Sequence, residues 1–145
     1  ISELFLFAAA RADHVQKVIK ESLKNHKIVI CDRFIDSTLA YQGYAGNLDL
    51  DIVKEVNKIS IGEIYPDITF IFDIDPTQGI ERALGENNKE TRFEEKDIMY
   101  HKKIRDGYKN IARDNPHRCV VINGTDDIEQ ISKKILELTL DKINE

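Results

Sequence analysis

The stretch Ile28-Val29-Ile30-Cys31-Asp32-Arg33-Phe34 decides how the rest of the chain is interpreted. Its four leading residues are apolar and mostly β-branched, and such a run predicts a strand buried on both faces of a parallel sheet. Ligands of open α/β sheets bind beyond the carboxyl ends of the strands, where Asp32 and Arg33 follow. A carboxylate and a guanidinium at that point suit a metal ion and a phosphate. The structural alternative is an ordinary ion pair at the end of a strand.

The flanking sequence alternates between helical and strand patterns. Further buried strands are predicted at 68–74 and 119–122, where apolar runs recur. Apolar residues three and four apart predict helices at about 2–25, after a cap at Asp36 or Ser37, at 49–61, after Asp75-Pro76, at 93–113 and after a cap at Asp126. This order predicts one α/β domain over residues 1–145 with a mostly parallel sheet.

Composition limits the class of protein. The 145 residues are 41% hydrophobic and 32% charged, with a net charge of −5, which suits one soluble domain and argues against a nucleic-acid-binding surface. No apolar run approaches the roughly 20 residues that span a bilayer. Cys31 and Cys119 are expected to be buried thiols of a reducing cytoplasm, although a disulfide stays open. Because Ile1 is not a start methionine, we expect the chain to begin inside a longer sequence or to be processed.

Two groups of side chains suit a nucleotide. Phe7 and Arg11 are four apart on the first predicted helix, so a flat ring and a planar fork of donors share one face, as a base would require. The pattern alone favours a core position for Phe7. Hydroxyl and amide groups cluster after Arg33, at Ser37, Thr38, Tyr41 and Gln42, and a solvated surface is the alternative for that cluster.

Three stretches together resemble the thymidylate kinases, which belong to the P-loop nucleoside monophosphate kinases. They are Leu6–Ala12, Ile30–Gly43, and a set comprising Pro66-Asp67, Phe72–Pro76 and Thr91–Glu94. The resemblance implies a P-loop kinase-like three-layer α/β sandwich with a parallel sheet. It also implies phosphate transfer from ATP to dTMP with Mg²⁺, giving dTDP for dTTP synthesis, in a cytoplasmic homodimer without nucleic-acid or membrane partners.

The same resemblance implies roles for the residues that bind the acceptor nucleotide. Arg33 would contact the phosphate and clamp the transferred group, and Asp32 would serve the metal ion. Phe7 would stack on thymine, and Arg11 would read its carbonyl edge. Ser37, Thr38 and Gln42 would line the base and phosphate pocket, with Tyr41 under the sugar, where it disfavours a 2′-hydroxyl.

The resemblance assigns fewer residues to the site that binds ATP, the phosphate donor. A lid at about 85–94 would close over the phosphates with Arg92 as its cation, and Arg82, Asn123 and Gly124 would lie near adenine. Two features depart from the family: Thr91 stands where an acidic residue is usual, and no Gly-x-x-x-x-Gly-Lys-Ser/Thr motif occurs. The resemblance therefore implies the C-terminal part of such an enzyme, with the N-terminal strands and P-loop absent. One absent strand would lie between 28–31 and 68–74.

Two other functions remain open at this point. Phe72–Thr77 resembles the nucleophile motif of haloacid-dehalogenase-like phosphatases, with Asp73 attacking phosphate and Asp75 as acid or base. A strand end at Asp73 and a helix cap at Asp75 would explain the same residues without catalysis. The chain could also be an inactive binding or packing fragment, since it lacks the phosphate loop.

Overall fold

The chain folds into two units, Ile1–Tyr65 and Pro66–Glu145. The structure is a computed structural model that describes residues 1–84 and 95–144. The single domain expected over residues 1–145 stays a prediction. The segment at 85–94, expected to form a lid, lies outside the described residues.

A long helix opens the first unit, as predicted for residues 2–25. Helix α1 (Ser2–His14) continues through a π-helical segment (Val15–Ile19) into α2 (Lys20–Lys24). Leu4, Val15 and Ile19 are buried, but Val18 and Leu23 are exposed, so the predicted apolar stripe is wrong at its end. A π-helical turn holds more residues than an α-helical turn, and it interrupts the 3.6-residue periodicity on which that prediction relied.

The predicted strand at 28–31 does not form. These residues have no regular secondary structure, and Ile28 and Ile30 are 67% and 95% exposed. Only Val29 packs inward, against a cluster of Val15, Ile19, Ile35 and Ile61. Cys31 is also exposed rather than buried. An extended segment becomes a strand only when its backbone groups pair with a neighbouring strand, and none is present in the described part of this unit.

Two helical segments complete this unit. Helix α3 (Ile35–Thr38) continues as a π-helical segment (Leu39–Ala45), and α4 (Leu50–Ile61) follows. The predicted cap at Asp36 or Ser37 is wrong, because α3 begins directly after Phe34 without a side-chain cap and includes both residues. Asp49 does cap α4, since its carboxylate accepts from the N–H groups of Asp51 and Ile52 at 2.9 and 3.1 Å.

The second unit contains the parallel pairing that the sequence predicted. Strands β1 (Thr69–Asp73) and β2 (Cys119–Asn123) pair in parallel, with Thr69 opposite Cys119 and Asp73 opposite Asn123. Their carboxyl ends therefore meet at one edge. Helices α5 (Pro76–Leu84) and α6 (Glu95–Asp114) pack together, and α6 also packs on both strands. Ile71, Ile104, Ile111 and Ile122 form the buried centre of the unit.

The last helix, α7 (Ile128–Asn144), differs from its prediction in two ways. Asp127, not Asp126, caps it, because the Asp127 carboxylate accepts from the N–H of Glu129 at 2.8 Å. The apolar residues Ile128, Ile131, Ile135 and Leu138, whose spacing predicts a buried seam on this helix, do not form one, since no residue of α7 is buried and Ile128 is 83% exposed. Periodicity alone shows that a helix has an apolar face but not what covers that face.

Candidate functional site

Arg11 lies at the centre of the polar contacts in the first unit. Its Nη1 donates to Asn57 Oδ1 at 2.9 Å, and its Nη2 donates to Thr38 Oγ1. The guanidinium carbon lies 5.8 Å from the centre of the Phe34 ring. Burial lowers the pKa of Arg11, yet an arginine stays protonated at neutral pH. Arg11 is therefore a charged guanidinium whose hydrogen-bond acceptors in the protein are neutral oxygen atoms.

The segment after Phe34 carries polar side chains into the interior of the unit. Asp36, Ser37, Thr38 and Gln42 are between 3% and 8% exposed, so the alternative of a solvated surface is wrong. Residues 39–45 form the π-helical segment, an irregularity that is frequent at functional sites. The fold thus places the predicted residues Ser37, Thr38 and Gln42 inside, with Thr38 bonded to Arg11.

Arg33 and Tyr41 are also brought together. The guanidinium carbon of Arg33 lies 4.3 Å from the centre of the Tyr41 ring, which is cation–π geometry. Arg33 has a φ of 60°, a left-handed conformation that is unusual outside glycine. None of the ion pairs among the described residues involves Asp32 or Arg33. The alternative of a structural ion pair is therefore not observed, and both charged groups are exposed.

Phe7 does not occupy the core position that its pattern favoured. Its side chain is 47% exposed, one helical turn before Arg11 on α1. An exposed aromatic ring that precedes a held guanidinium by one turn can offer a face to a planar ligand.

The residues expected near adenine come together in the second unit. Arg82 Nη1 donates to the carbonyl oxygen of Gly124 at 2.7 Å, which ties α5 to the loop after β2. The Gly124 N–H donates to the Asp73 carbonyl at 2.8 Å. A Cβ atom at Gly124 would lie 3.1 Å from that same carbonyl oxygen, so the close approach favours glycine. Asn123 Nδ2 donates to Asp126 Oδ1 at 2.5 Å. Arg92 lies outside the described residues.

Asp73 is held by two cations from α6. Arg105 Nε donates to Asp73 Oδ1 at 2.5 Å, and Lys109 Nζ lies 3.1 Å from Oδ2. The hydrogen bond from Arg105 holds the pKa of Asp73 below its usual range. A carboxylate engaged through both oxygens is a poor nucleophile, so the structure does not support a phosphatase. Asp75 instead caps α5 through the N–H of Thr77 at 3.0 Å.

Three features were missed at the level of sequence. Asn57 could have been found, because a polar residue lies between Val53 and Ile61 on the apolar side of a helix. Arg105 carries no local signal, since its partner is 32 residues away. A cavity of about 400 Å³ between β1, α5 and α6, lined mostly by apolar side chains, depends entirely on packing.

The described residues were compared with two structural features, a metal-binding cluster and a membrane-spanning helix. They contain no group of three His, Cys, Asp or Glu side chains that could hold a metal ion. A lone exposed carboxylate such as Asp32 nevertheless fits Mg²⁺, which commonly binds through one or two carboxylates together with water and substrate phosphates. In the same residues, no helix is both long and apolar enough to cross a membrane.

Comparisons with known proteins agree with one another. The family model described as thymidylate kinase matches residues 1–135. The chain is 39% identical to a thymidylate kinase of Geobacter sulfurreducens, over 98% of this chain and 69% of that protein. It is 44% identical to one of Ehrlichia chaffeensis, over 95% of this chain and 67% of that protein.

A solved structure is similar as well. The crystal structure of thymidylate kinase from Ehrlichia chaffeensis matches with a TM-score of 0.74 and 38% identity, over 95% of this chain and 63% of that chain. Among the curated relatives, the chain spans between 60% and 69% of their length.

Proposed function

The chain belongs to the thymidylate kinase family, and we propose that the protein transfers the γ-phosphate of ATP to dTMP, giving dTDP for dTTP synthesis. Its fold is the P-loop kinase-like α/β fold of that family. Family membership does not by itself identify the acceptor nucleotide. The observation that supports dTMP is the guanidinium of Arg11, which hydrogen bonds to Asn57 and Thr38 fix in place. A half-buried cation that is hydrogen-bonded only to neutral groups suits a neutral base with carbonyl oxygens.

The acceptor site is proposed to lie in the first unit. Arg11 donates to the carbonyl edge of thymine, while Phe7, one turn away and exposed, stacks on the ring. Arg33, exposed and without an ion-pair partner among the described residues, binds the acceptor phosphate through its fork of donors. Tyr41 packs under the deoxyribose and supports Arg33. Ser37, Thr38 and Gln42 line the base and phosphate pocket.

The donor site is proposed to include the second unit. Arg82, Asn123 and Gly124 meet at the carboxyl end of β2 and border the adenine of ATP. Arg92 supplies a cation from the proposed lid. The 145 residues contain no Gly-x-x-x-x-Gly-Lys-Ser/Thr motif, so we propose that the cradle for the donor phosphates comes from residues outside this sequence.

In this proposal the protein catalyses the reaction mainly by positioning the two nucleotides and stabilising the charge of the transferred phosphoryl group. The transferred phosphoryl group carries spread negative charge, and donors fixed in advance stabilise it without reorganising. Arg33 holds the acceptor phosphate in line, and Asp32 is the group that would hold Mg²⁺. The ion, when bound, neutralises charge on the phosphates.

The test is a coupled assay that measures ADP formation from ATP and dTMP with Mg²⁺. It is run on the 145-residue chain and on the complete polypeptide that contains it. We expect activity from the complete polypeptide, and we expect Arg11→Ala to raise the KM for dTMP with little change for ATP. A complete polypeptide without dTMP-dependent turnover would contradict the proposed activity. Turnover by the complete polypeptide but not by the 145-residue chain would show that the chain alone is an inactive fragment.

The exposed apolar surface of the first unit bears on the assembly of the protein. Helix α1 and the residue before it expose large apolar side chains that a second copy of the chain could cover, namely Ile1, Phe5 and Leu6. We propose a cytoplasmic homodimer. Sedimentation of the complete polypeptide as a monomer at micromolar concentration would argue against it.

A further inference from the structure

Asn57 is a buried polar residue to which the sequence pattern gives no role. It lies on the inward side of α4, 6% exposed, between the fully buried Val53 and Ile61. A buried amide costs stability unless its donors and acceptor are bonded. The contacts of its amide group therefore indicate why it is there.

The orientation of the amide follows from its two partners. Asn57 Nδ2 donates to the carbonyl oxygen of Ile35 at 3.0 Å. A backbone carbonyl only accepts hydrogen bonds, so the amino group must face Ile35 and the oxygen must face Arg11. Asn57 Oδ1 then accepts from Arg11 Nη1 at 2.9 Å. One side chain thus joins α4 to the start of α3 and to Arg11 on α1.

The guanidinium of Arg11 is fixed at both terminal nitrogens by neutral acceptors. Asn57 holds Nη1 and Thr38 holds Nη2, so two of the five N–H donors of the guanidinium are used and three remain. Arg105 in the second unit is different, because Asp73 neutralises its charge. The positive charge of Arg11 is left for a ligand, and the plane of its fork is set before the ligand arrives.

We propose that Asn57 is a positioning residue for base selection. It aims the remaining donors of Arg11 at a carbonyl oxygen of a pyrimidine, and it does so without neutralising the charge. A pyrimidine with an amino group at that position would meet donors with a donor and would be rejected. This inference rests on the proposed dTMP kinase function.

The experiment compares acceptor selectivity in the complete polypeptide and in its Asn57→Leu variant. Leucine has the same number and branching of side-chain heavy atoms as asparagine but makes neither hydrogen bond. We expect kcat/KM for dTMP to fall about 10- to 100-fold, mostly through KM, because small misplacements of a binding group are costly. The ratio of kcat/KM for dTMP to that for dCMP should fall about tenfold or more. The KM for ATP should stay unchanged.

The matched control is Val53→Ala, a buried position one turn earlier on α4. It should lower the melting temperature but leave the ratio of kcat/KM for dTMP to that for dCMP unchanged. The control therefore distinguishes a loss of core packing from a change in the orientation of Arg11. A folded Asn57→Leu variant with an unchanged ratio would overturn the inference and leave the proposed function standing. A wild-type enzyme that does not use dTMP would overturn both.

If Asn57→Leu does not fold, a second variant tests the inference. Asn57→Asp keeps the volume and the acceptor for Arg11, loses the donor to the Ile35 carbonyl, and adds a carboxylate that neutralises the guanidinium. We expect weaker dTMP binding by calorimetry and a lower dTMP to dCMP ratio at neutral pH. Wild-type affinity and selectivity in this variant would overturn the inference.

Discussion

The backbone of Arg33 is held in the left-handed region, with a φ of 60°. For a residue other than glycine this conformation costs roughly 1–2 kcal/mol, and such strain is often found at functional sites. Arg33→Gly and Arg33→Ala both remove the guanidinium. The difference between their free energies of unfolding therefore reports only the backbone conformation at position 33. We expect the glycine variant to be more stable by about 0.5–1 kcal/mol, since part of the relief is offset by the freer unfolded chain.

Urea unfolding of the two variants of the complete polypeptide measures that difference. An alanine variant that is more stable than the glycine variant by about 0.5–1 kcal/mol would show that the backbone at position 33 is not strained. Both variants should lose most of their turnover, because the fork of donors is gone in each.

The ring of Tyr41 supports the guanidinium of Arg33 at 4.3 Å. A cation–π contact is worth about 0.5–2 kcal/mol, depending on exposure. Tyr41→Leu should therefore lower kcat about 3- to 10-fold, whereas Tyr41→Phe keeps the ring and should stay within about twofold. Steady-state kinetics with saturating ATP and dTMP check this, and equal losses in both variants would assign the effect to the hydroxyl group instead.

The end of β1 is tied to α6 through Asp73, and this tie makes stability depend on pH. Arg105 and Lys109 lower the folded-state pKa of Asp73 below its unfolded value of about 3.9. The carboxylate therefore stabilises the fold fully above the unfolded pKa, and this contribution is lost as pH falls through the folded-state pKa. The difference in unfolding free energy between wild type and Asp73→Asn should be constant from about pH 5 to 7 and should shrink below about pH 4.

The control is Asp13→Asn, which removes an exposed carboxylate paired with Lys17 at 2.6 Å. An exposed pair on a helix contributes little, so this variant should stay within about 0.5 kcal/mol of wild type across the same range. Urea unfolding at each pH gives the comparison. An Asp73→Asn difference that grows on acidification would contradict the assigned ion pairs.

Large apolar side chains are exposed in both units, including Ile28 and Ile30 in the first and Phe72 and Val121 in the second. The chain also spans only 60% to 69% of the length of its curated relatives. We therefore expect the 145 residues alone to bind a hydrophobic dye and to unfold over a broad range of urea, because exposed apolar surface is costly. The complete polypeptide should bind little dye and unfold sharply, and a sharply unfolding, dye-free 145-residue chain would contradict this.

The sequence by itself determined the elements with strong local patterns. The first helix, β1 and β2 agree with it, because periodicity depends on residues a few positions apart. The motif resemblance also assigned Arg11 and Thr38 to one predicted pocket, and the two side chains are in contact in the structure. The family followed from the same stretches.

Tertiary structure decided what lies beyond local range. Asn57 is 46 residues from Arg11 in sequence, and Arg105 is 32 from Asp73, so neither pairing could be inferred from spacing. The apolar run at 28–31 is not a strand, because a strand requires hydrogen-bonding neighbours that its own sequence does not specify. Exposure of Phe7 reversed the local expectation, and burial of Ser37 excluded the alternative of a solvated surface. The reason is the same for both: what covers a side chain is set by the packing of distant elements.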